Sequence, residues 1–586
     1  MDGLRRRQMI GTAAAIPLLA AARGAGAAGS PAEGGGWPSP AEWGDLGRLV
    51  SGNLSAIRSP FEACQTHPDG AECAALFRNL KNPYFIRDDP ALTQTLGWVG
   101  AWWTQPSRYA LAPQSSAHVA AAVNFARTHK VRLVIRGGGH SYLGTSNAPD
   151  SLMIWTRPMN GIALHDAFVP MGCEKQMAPA PAVTVGAGAI WGEAYQRVTT
   201  EAGRYVQGGG CLTVGVAGLV QGGGFGTYSK RFGLAGASLL EAEIVTADGA
   251  VRVVNACREP DLFWALKGGG GGTFGVVTRL TLRTWDLPEV FGHIALDVQA
   301  RSDAAYRRLI GAFVGFYADA LCTPHWGELA RVGPDNRLRI AMNSQGLDEA
   351  AMRALWQPFL AVVAADAEVA GDPPMIVAGP GRMRWDGAAL ARFAPNAVVF
   401  DDRPGSAVTD FFWAANRAEA GHVIYGYESI WLPARLLDPD QRAGLADALM
   451  AASRHRPVEM HFQKGLAGGA SEAIAAARET PMNPAVAEAF MLAIIGSEGP
   501  PAYPGIAGHE PNSEQARRDG VQVGRAIADL RKIAPGAGAY VAESSWFQPD
   551  WQRAYWGSNY ERLLAVKRRY DPEGLFSVRH SVGSEA

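Results

Sequence analysis

Two glycine-rich segments hold the residues best suited to covalent chemistry. The first is Arg136-Gly137-Gly138-Gly139-His140-Ser141-Tyr142, directly after the β-branched run 131–136. Three successive glycines let the chain bend around a ligand and aim backbone N–H groups at a phosphate, and His140 closes that loop. The second is Gly208-Gly209-Gly210-Cys211-Leu212-Thr213-Val214-Gly215-Val216-Ala217-Gly218, followed by Gln221-Gly222-Gly223-Gly224-Phe225-Gly226. A cysteine wedged among glycines is poorly placed as a core hydrophobe and well placed to touch a flat ligand pressed on bare backbone. A buried, inert thiol is the competing reading. A third loop, 268–272, leads into Thr273-Phe274-Gly275-Val276-Val277.

Other chemistries fit less well. Val185-Gly186-Ala187-Gly188 suggests a dinucleotide fingerprint, but the next glycine comes one place late, at Gly192, and no acid lies near position 206 to hold a ribose. Gly139-His140-Ser141-Tyr142-Leu143 has Leu143 where a hydrolase nucleophile elbow needs glycine. The 12 histidines are scattered without H-E-x-x-H, so no catalytic metal is expected.

The elements that must position these loops are readable from periodicity. A helix is predicted over 115–130 and a strand over 131–136. A strand follows over 182–188 and a helix over 191–203, ended by Gly203. Residues 239–255 form a hairpin with Asp248-Gly249 at its turn. Residues 261–285 read as a short helix, a glycine loop and a strand. Beyond 286 the character changes. Amphipathic helices at 302–321 and 513–534 alternate with strand-like runs at 422–432, 458–466 and 489–496. This pattern predicts a second domain, a sheet with helices on one face.

Length and charge bound the rest. At 586 residues the chain exceeds one core, and its formal net charge of -1 recommends neither nucleic acid nor a cationic partner. Arg5, Arg6 and Arg7, then an apolar stretch too short to span a bilayer, then small residues at 24–28, look like a twin-arginine export signal. Residues 29–45 read as a flexible linker within an N-terminal extension, 29–105, packed on the next domain. Of the six cysteines, Cys64 and Cys73 lie close enough to pair in an oxidising compartment or to remain two buried thiols.

Taken together, R-G-G-G-H-S-Y, G-x-C-x-x-V-G, G-G-G-F-G, D-L-F-W-A-L-x-G-G-G-G-G-x-F-G and the C-terminal Y-W-G-x-N-Y-x-R-L…D-P-x-G-L-F resemble the berberine bridge enzyme-like group. That group belongs to the vanillyl-alcohol oxidase/para-cresol methylhydroxylase (PCMH) flavoprotein superfamily. The resemblance implies an α+β fold: a two-subdomain PCMH-type FAD-binding domain at 106–285 and a substrate domain at 286–535 with an antiparallel sheet covered by helices. A C-terminal segment at 536–586 returns to the FAD domain. It also implies bicovalent FAD, through His140 to the flavin 8α-methyl and Cys211 to C6. The pyrophosphate then rests on 136–141, and the backbone of Gly275–Val277 meets the adenine side. Gly144, Gly210, Val214, Gly215, Gly218, Gly223, Gly224, Phe225 and Asn559 complete the implied cofactor set. The chain departs from the group at Gly138, Leu212 and Phe225, where Ser, Pro and Tyr are common.

Chemistry in such a protein is hydride transfer from substrate carbon to flavin, with a base on the opposite face. Glu543, in the strand expected around 540–545, is the candidate base. Tyr142 and Tyr540 are candidate partners, and Tyr427, Glu428, His461, Gln463 and Lys464 could line the pocket. Val214 in place of a bulkier leucine would leave room for dioxygen. Three functions stay open: an exported, periplasmic or secreted oxidase producing hydrogen peroxide from a small alcohol-type substrate; a dehydrogenase serving a quinone or protein acceptor; and a non-catalytic flavin- or ligand-binding protein. No nucleic acid partner, and no membrane contact of the mature chain, is expected.

Overall fold

The structure is a computed structural model that describes residues 37–585. The twin-arginine segment and linker residues 29–36 lie outside the described residues. The rest of the predicted linker is not irregular. Pro40–Leu49 is a helix capped by Ser39, whose side chain accepts from Glu42 N while Glu42 reaches back to Ser39 N. This is a capping box with proline at the first turn, a local signal that outweighs the Gly/Pro/Ala composition around it.

Two sheets carry the glycine loops. In the first, Leu54–Ala56, Tyr109–Leu111, Ser151–Trp155 and Arg132–Arg136 lie side by side, the last three parallel. The helix Ser116–His129, capped by Ser115, buries Val119, Ala122, Val123 and Ala126 against it. In the second, Val251–Asn255, Leu239–Val245, Val276–Asp286, Ala180–Gly186 and Ile162–Phe168 form an antiparallel ladder. The first glycine loop leaves the end of the first sheet and the third feeds the Val276–Asp286 strand of the second. Both sheets thus aim bare backbone at the region between them. The fold is α+β.

The third sheet has ten strands. Its centre is Trp326–Val332, Val458–His461, Ala489–Gly499 and His422–Pro433, all antiparallel, and Val290–Ala300 and Arg337–Gln345 extend it. Strand alternation sorts its residues. Ile430, Leu432, Met460, Ala493 and Ile495 join a core with the helices Asp303–Phe316, Arg442–His455 and Ser513–Ile533. Tyr427, Trp431, Leu492 and Ile494 belong to a separate cluster with Phe225 and Tyr540.

Three sequence expectations are corrected. The predicted extension does not merely pack on the next domain: its Thr95–Trp98 strand pairs in parallel with His422–Pro433 and enters the third sheet. The strand expected at 458–466 ends at His461, after which the chain turns. No strand forms at 540–545. Glu543 N bonds back to Tyr540 O at 3.0 Å, a tight turn whose carbonyl at Glu543 is taken by Ser429 Oγ at 2.5 Å. Two disulfides are present, Cys64–Cys73 and Cys173–Cys257.

The C-terminal segment shares a core with the second sheet, and its motif has a physical basis. Lys567, with a side chain 6% exposed, donates to Thr273 O (2.7 Å), Phe576 O (2.5 Å) and Asp571 Oδ2 (2.5 Å). Asp571 in turn accepts from Leu575 N and Phe576 N. Trp556 Nε1 donates to Gly268 O at 2.9 Å. The third glycine loop is therefore fastened at both ends by the last thirty or so residues. Lys567→Met should strand Asp571 and two buried carbonyls. Breaking a buried pair in this way costs about 3–5 kcal/mol, to be read as a drop in the urea unfolding midpoint.

His580, buried in the same segment, stacks on Trp551 with centroids 5.4 Å apart and meets the Tyr555 hydroxyl at 3.2 Å. Burial, with the Arg579 charge second, lowers it from 6.5 to about 4. The unfolded chain therefore takes up a proton that the folded chain refuses. The resulting stability is complete above about pH 6.5 and is lost as pH falls toward about 4. His580→Gln should flatten that limb of a plot of urea midpoint against pH.

Candidate functional site

Gly138 and Gly215 meet backbone to backbone. A Cβ on Gly138 would lie 2.5 Å from Gly215 N, and one on Gly215 would lie 2.7 Å from Gly138 N. This contact brings the first two glycine loops together and, with them, His140 and Cys211. His140 Nε2 sits 3.0 Å from Thr213 Oγ1, two residues beyond Cys211. Burial, helped by the charges of His422 and Arg136, pulls His140 down to about 3. Its imidazole is neutral at pH 7 and keeps a lone pair for bonding.

The glycines divide by what their missing side chains face. At Gly210 and Gly218 an added Cβ meets nothing within 4 Å, and at Gly271 it meets only Gly218 Cα, at 4.0 Å. Gly218 and Gly271 face each other across open space, and beside them Thr273 Oγ1 is buried without a hydrogen-bond partner. A side-chain-free cradle with an orphaned hydroxyl fits a flat, phosphate-bearing cofactor such as FAD. The other glycines serve close packing. Gly144 abuts the Trp102 ring, Gly223 abuts Met482, Gly224 abuts Leu219, and Gly275 abuts Val245 O.

Several side chains of the expected cofactor set turn inward. The Arg136 guanidinium, fully buried, donates to Ile86 O and Asp89 O, both at 2.9 Å, and so braces the loop rather than facing the cradle. Ser141 Oγ is taken by Thr145. Asn559 Nδ2 holds Met482 O at 2.9 Å. Val277 is buried in its strand. Val214 is half-buried, with its carbonyl accepting from Trp191 N. Phe225 packs edge-on to Tyr540 at 5.1 Å and against Trp431 at 5.5 Å.

Facing the attachment loops is the third sheet. Tyr142 lies 5.1 Å from Tyr427 and 5.8 Å from His422, centroid to centroid. Burial, together with nearby carboxylates, pushes both phenols up, so both stay protonated. Lys464 Nζ contacts both oxygens of Glu543, at 2.6 and 2.5 Å. Tyr540 is buried one turn before Glu543, and burial pushes its phenol up as well. Gln463 reaches Glu328 at 3.2 Å, and His461 lies 3.4 Å from Glu459. Glu428 points the other way, to Arg531 on the helix side at 2.9 Å.

Sequence reading missed a second group. On the segment before His422, Trp413 Nε1 donates to Gly210 O (3.0 Å), Asn416 Nδ2 donates to Cys211 Sγ (3.3 Å), and the Cys211 thiol faces Glu419 Oε2 at 3.8 Å. The W-x-x-N-x-x-E spacing, which places three polar groups on one side of a turn, was the available signal. His422, buried, bridges Thr95 Oγ1 (2.7 Å) and Glu498 Oε2 (2.6 Å). Burial, added to by the carboxylates of Glu498, Glu459 and Glu543 and opposed by His422, pushes Glu419 up to about 7.

Comparison with known proteins agrees with this geometry. Residues 107–255 match the FAD binding domain family, and residues 539–583 match the berberine and berberine like family. The FAD-linked oxidoreductase malF of Malbranchea aurantiaca is 31% identical over 94% of this chain and 91% of its own length. Among solved structures, the VAO-type flavoprotein MtVAO615 from Myceliophthora thermophila C1 superposes with a TM-score of 0.77 at 25% identity. The match covers 94% of this chain and 97% of that one. Glucooligosaccharide oxidase from Acremonium strictum, which carries a 6-S-cysteinyl, 8α-N1-histidyl FAD, shares the fold with a TM-score of 0.64 at 19% identity, over 90% of this chain and 99% of its own.

Proposed function

The chain belongs to the FAD-linked oxidoreductases of the berberine bridge enzyme-like group, within the vanillyl-alcohol oxidase superfamily, and on that premise we propose that it is an exported oxidase with bicovalent FAD. In this reading His140 and Cys211 hold the flavin, an alcohol-type substrate (phenolic alcohol, sugar or aliphatic alcohol) is oxidised, and dioxygen is reduced to hydrogen peroxide. The observation that carries it is the meeting of Gly138 with Gly215, which sets a neutral imidazole and a thiol beside one side-chain-free cradle. The half-buried Val214 is smaller than leucine and supports access for oxygen. The two disulfides support an oxidising compartment, in keeping with the twin-arginine segment.

FAD, when bound, supplies the hydride acceptor. The protein's part is position and proton transfer. Tyr142 and Tyr427, both protonated, offer hydroxyls to a substrate oxygen. Glu543, with Lys464 fixing both carboxylate oxygens, takes the proton from the substrate O–H.

Acid-precipitated protein should stay yellow. His140→Ala and Cys211→Ala should each leave one bond, and the double variant should release all flavin. Complete release from the wild type would sink the covalent reading. Peroxide formation with oxygen as the sole acceptor separates the oxidase from a dehydrogenase.

Glu543→Gln keeps the shape and removes the acceptor. Anaerobic flavin reduction by an oxidisable alcohol should slow by roughly a hundredfold, the usual scale for loss of a general base, with substrate affinity changed far less. An unchanged rate would overturn the assignment of Glu543 as the acceptor.

A further inference from the structure

We infer that Glu419 is the base that takes the thiol proton of Cys211 when that residue is joined to the flavin ring, a role that rests on the covalent attachment proposed above. Four carboxylates, those of Glu419, Glu459, Glu498 and Glu543, border the cleft. Three of them have a basic partner: His461 for Glu459, His422 for Glu498 and Lys464 for Glu543. Among the described residues no ion pair is formed by Glu419. A carboxylate left uncompensated in a half-buried place costs stability, and what it faces is the one cysteine beside the cradle.

The arrangement around that thiol is specific. The Cys211 thiol points to Glu419 Oε2 at 3.8 Å. Asn416 Nδ2 donates to the sulfur at 3.3 Å and to the same carboxylate oxygen at 3.5 Å, so one amide sets donor and acceptor relative to each other. Trp413 Nε1 holds the peptide before Cys211 through Gly210 O. All three side chains come from 413–419, outside the flavin-binding loops.

Charge explains why a base is needed. Burial, reinforced by Glu419, pushes the Cys211 thiol well above its ordinary range, so it rests protonated. Thiolate, not thiol, is the nucleophile. A thiolate formed beside an ionised carboxylate would bring two negative charges together. When the proton passes to Glu419, the pair carries one negative charge before and after. A carboxyl group held near 7 is matched to that exchange at neutral pH.

The step balances as follows. The S–H bond breaks and its proton goes to Glu419 Oε2. The sulfur then forms a bond to flavin C6, and the C6 hydrogen leaves as a proton. The electron pair that this frees enters the ring and is taken, with two protons, by dioxygen, which becomes hydrogen peroxide. Overall, a thiol, a C–H bond and dioxygen give a thioether and hydrogen peroxide.

The test reads the bond, not turnover. Holoenzyme is treated with iodoacetamide under denaturing conditions and digested, and the mass of the Cys211 peptide is measured. In the wild type that peptide should carry flavin. In Glu419→Gln it should be mainly carbamidomethylated while the His140 peptide keeps its flavin, because loss of a general base slows its step by roughly 10²–10⁴-fold. Glu419→Asp, which keeps the carboxylate, should restore much of the link. Should Glu419→Gln not fold, Glu419→Asp against Glu419→Ala gives the same comparison. A fully linked Cys211 in Glu419→Gln or Glu419→Ala overturns the assignment and leaves the covalent reading intact. A wild-type Cys211 peptide without flavin overturns both.

Discussion

Everything in the site depends on two glycines touching. Gly138 belongs to a loop at the end of the parallel sheet, and Gly215 caps a short helix beside the antiparallel one. Neither could carry a side chain without displacing the other's backbone. That one contact fixes the spacing of the two subdomains, and with it the distance from His140 to the Cys211 loop. The surrounding bonds preserve it. Gln94 N holds Gly139 O at 3.0 Å, and Val216 N holds Ala189 O at 2.9 Å. Arg136 is spent on the carbonyls of Ile86 and Asp89, which anchors the loop from beneath. An arginine beside a glycine-rich loop suggests charge recognition, yet here it is a brace.

The opposite wall is set by a different rule. Strand alternation gives the third sheet an apolar face for its helices and a polar face for the cleft. Glu459 and His461 on one strand, and Tyr427 and Ser429 on another, share the cleft face through the pairing of Glu459 and Ser429 with Ile494. Glu428 falls on the other side, where Arg531 waits. The polar face gathers carboxylates, and partners are supplied to nearly all of them. The turn at Tyr540–Glu543 follows from this wall: Ser429 Oγ captures the Glu543 carbonyl, and Lys464 captures its carboxylate.

Legibility followed locality. The helix at Ser116–His129, the hairpin turning at Asp248-Gly249 and the glycine loops were readable because capping, periodicity and turn chemistry lie within a few residues. The Thr95–Trp98 strand was not, because it is a strand only by virtue of His422–Pro433, far along the chain. Val290–Ala300 and the Cys173–Cys257 disulfide were missed for the same reason. In the site, His140 and Cys211 were singled out by their glycine neighbours. Glu419 and Asn416 were not, because their W-x-x-N-x-x-E spacing acquires meaning only from Cys211 across the cleft. The turn in place of the 540–545 strand likewise depends on Ser429 and Lys464, which local propensity cannot register.

The cradle also draws on the far end of the chain. Its third loop is fastened by Trp556 to Gly268 and by Lys567 to Thr273, and Lys567 is itself held by Asp571 and the Phe576 carbonyl. The loop that borders Gly218 thus takes part of its support from residues beyond 550. The segment facing Cys211, 413–419, precedes a strand whose neighbours are drawn from both ends of the chain, Thr95–Trp98 and Ala489–Gly499. On the attachment proposed above, a flavin joined to both His140 and Cys211 requires a finished fold, not a nascent one. A protein whose cofactor chemistry waits for its C-terminus must cross a membrane already folded if that chemistry is done in the cytoplasm. The export route proposed above, from Arg5, Arg6 and Arg7 and the apolar stretch after them, is consistent with that requirement.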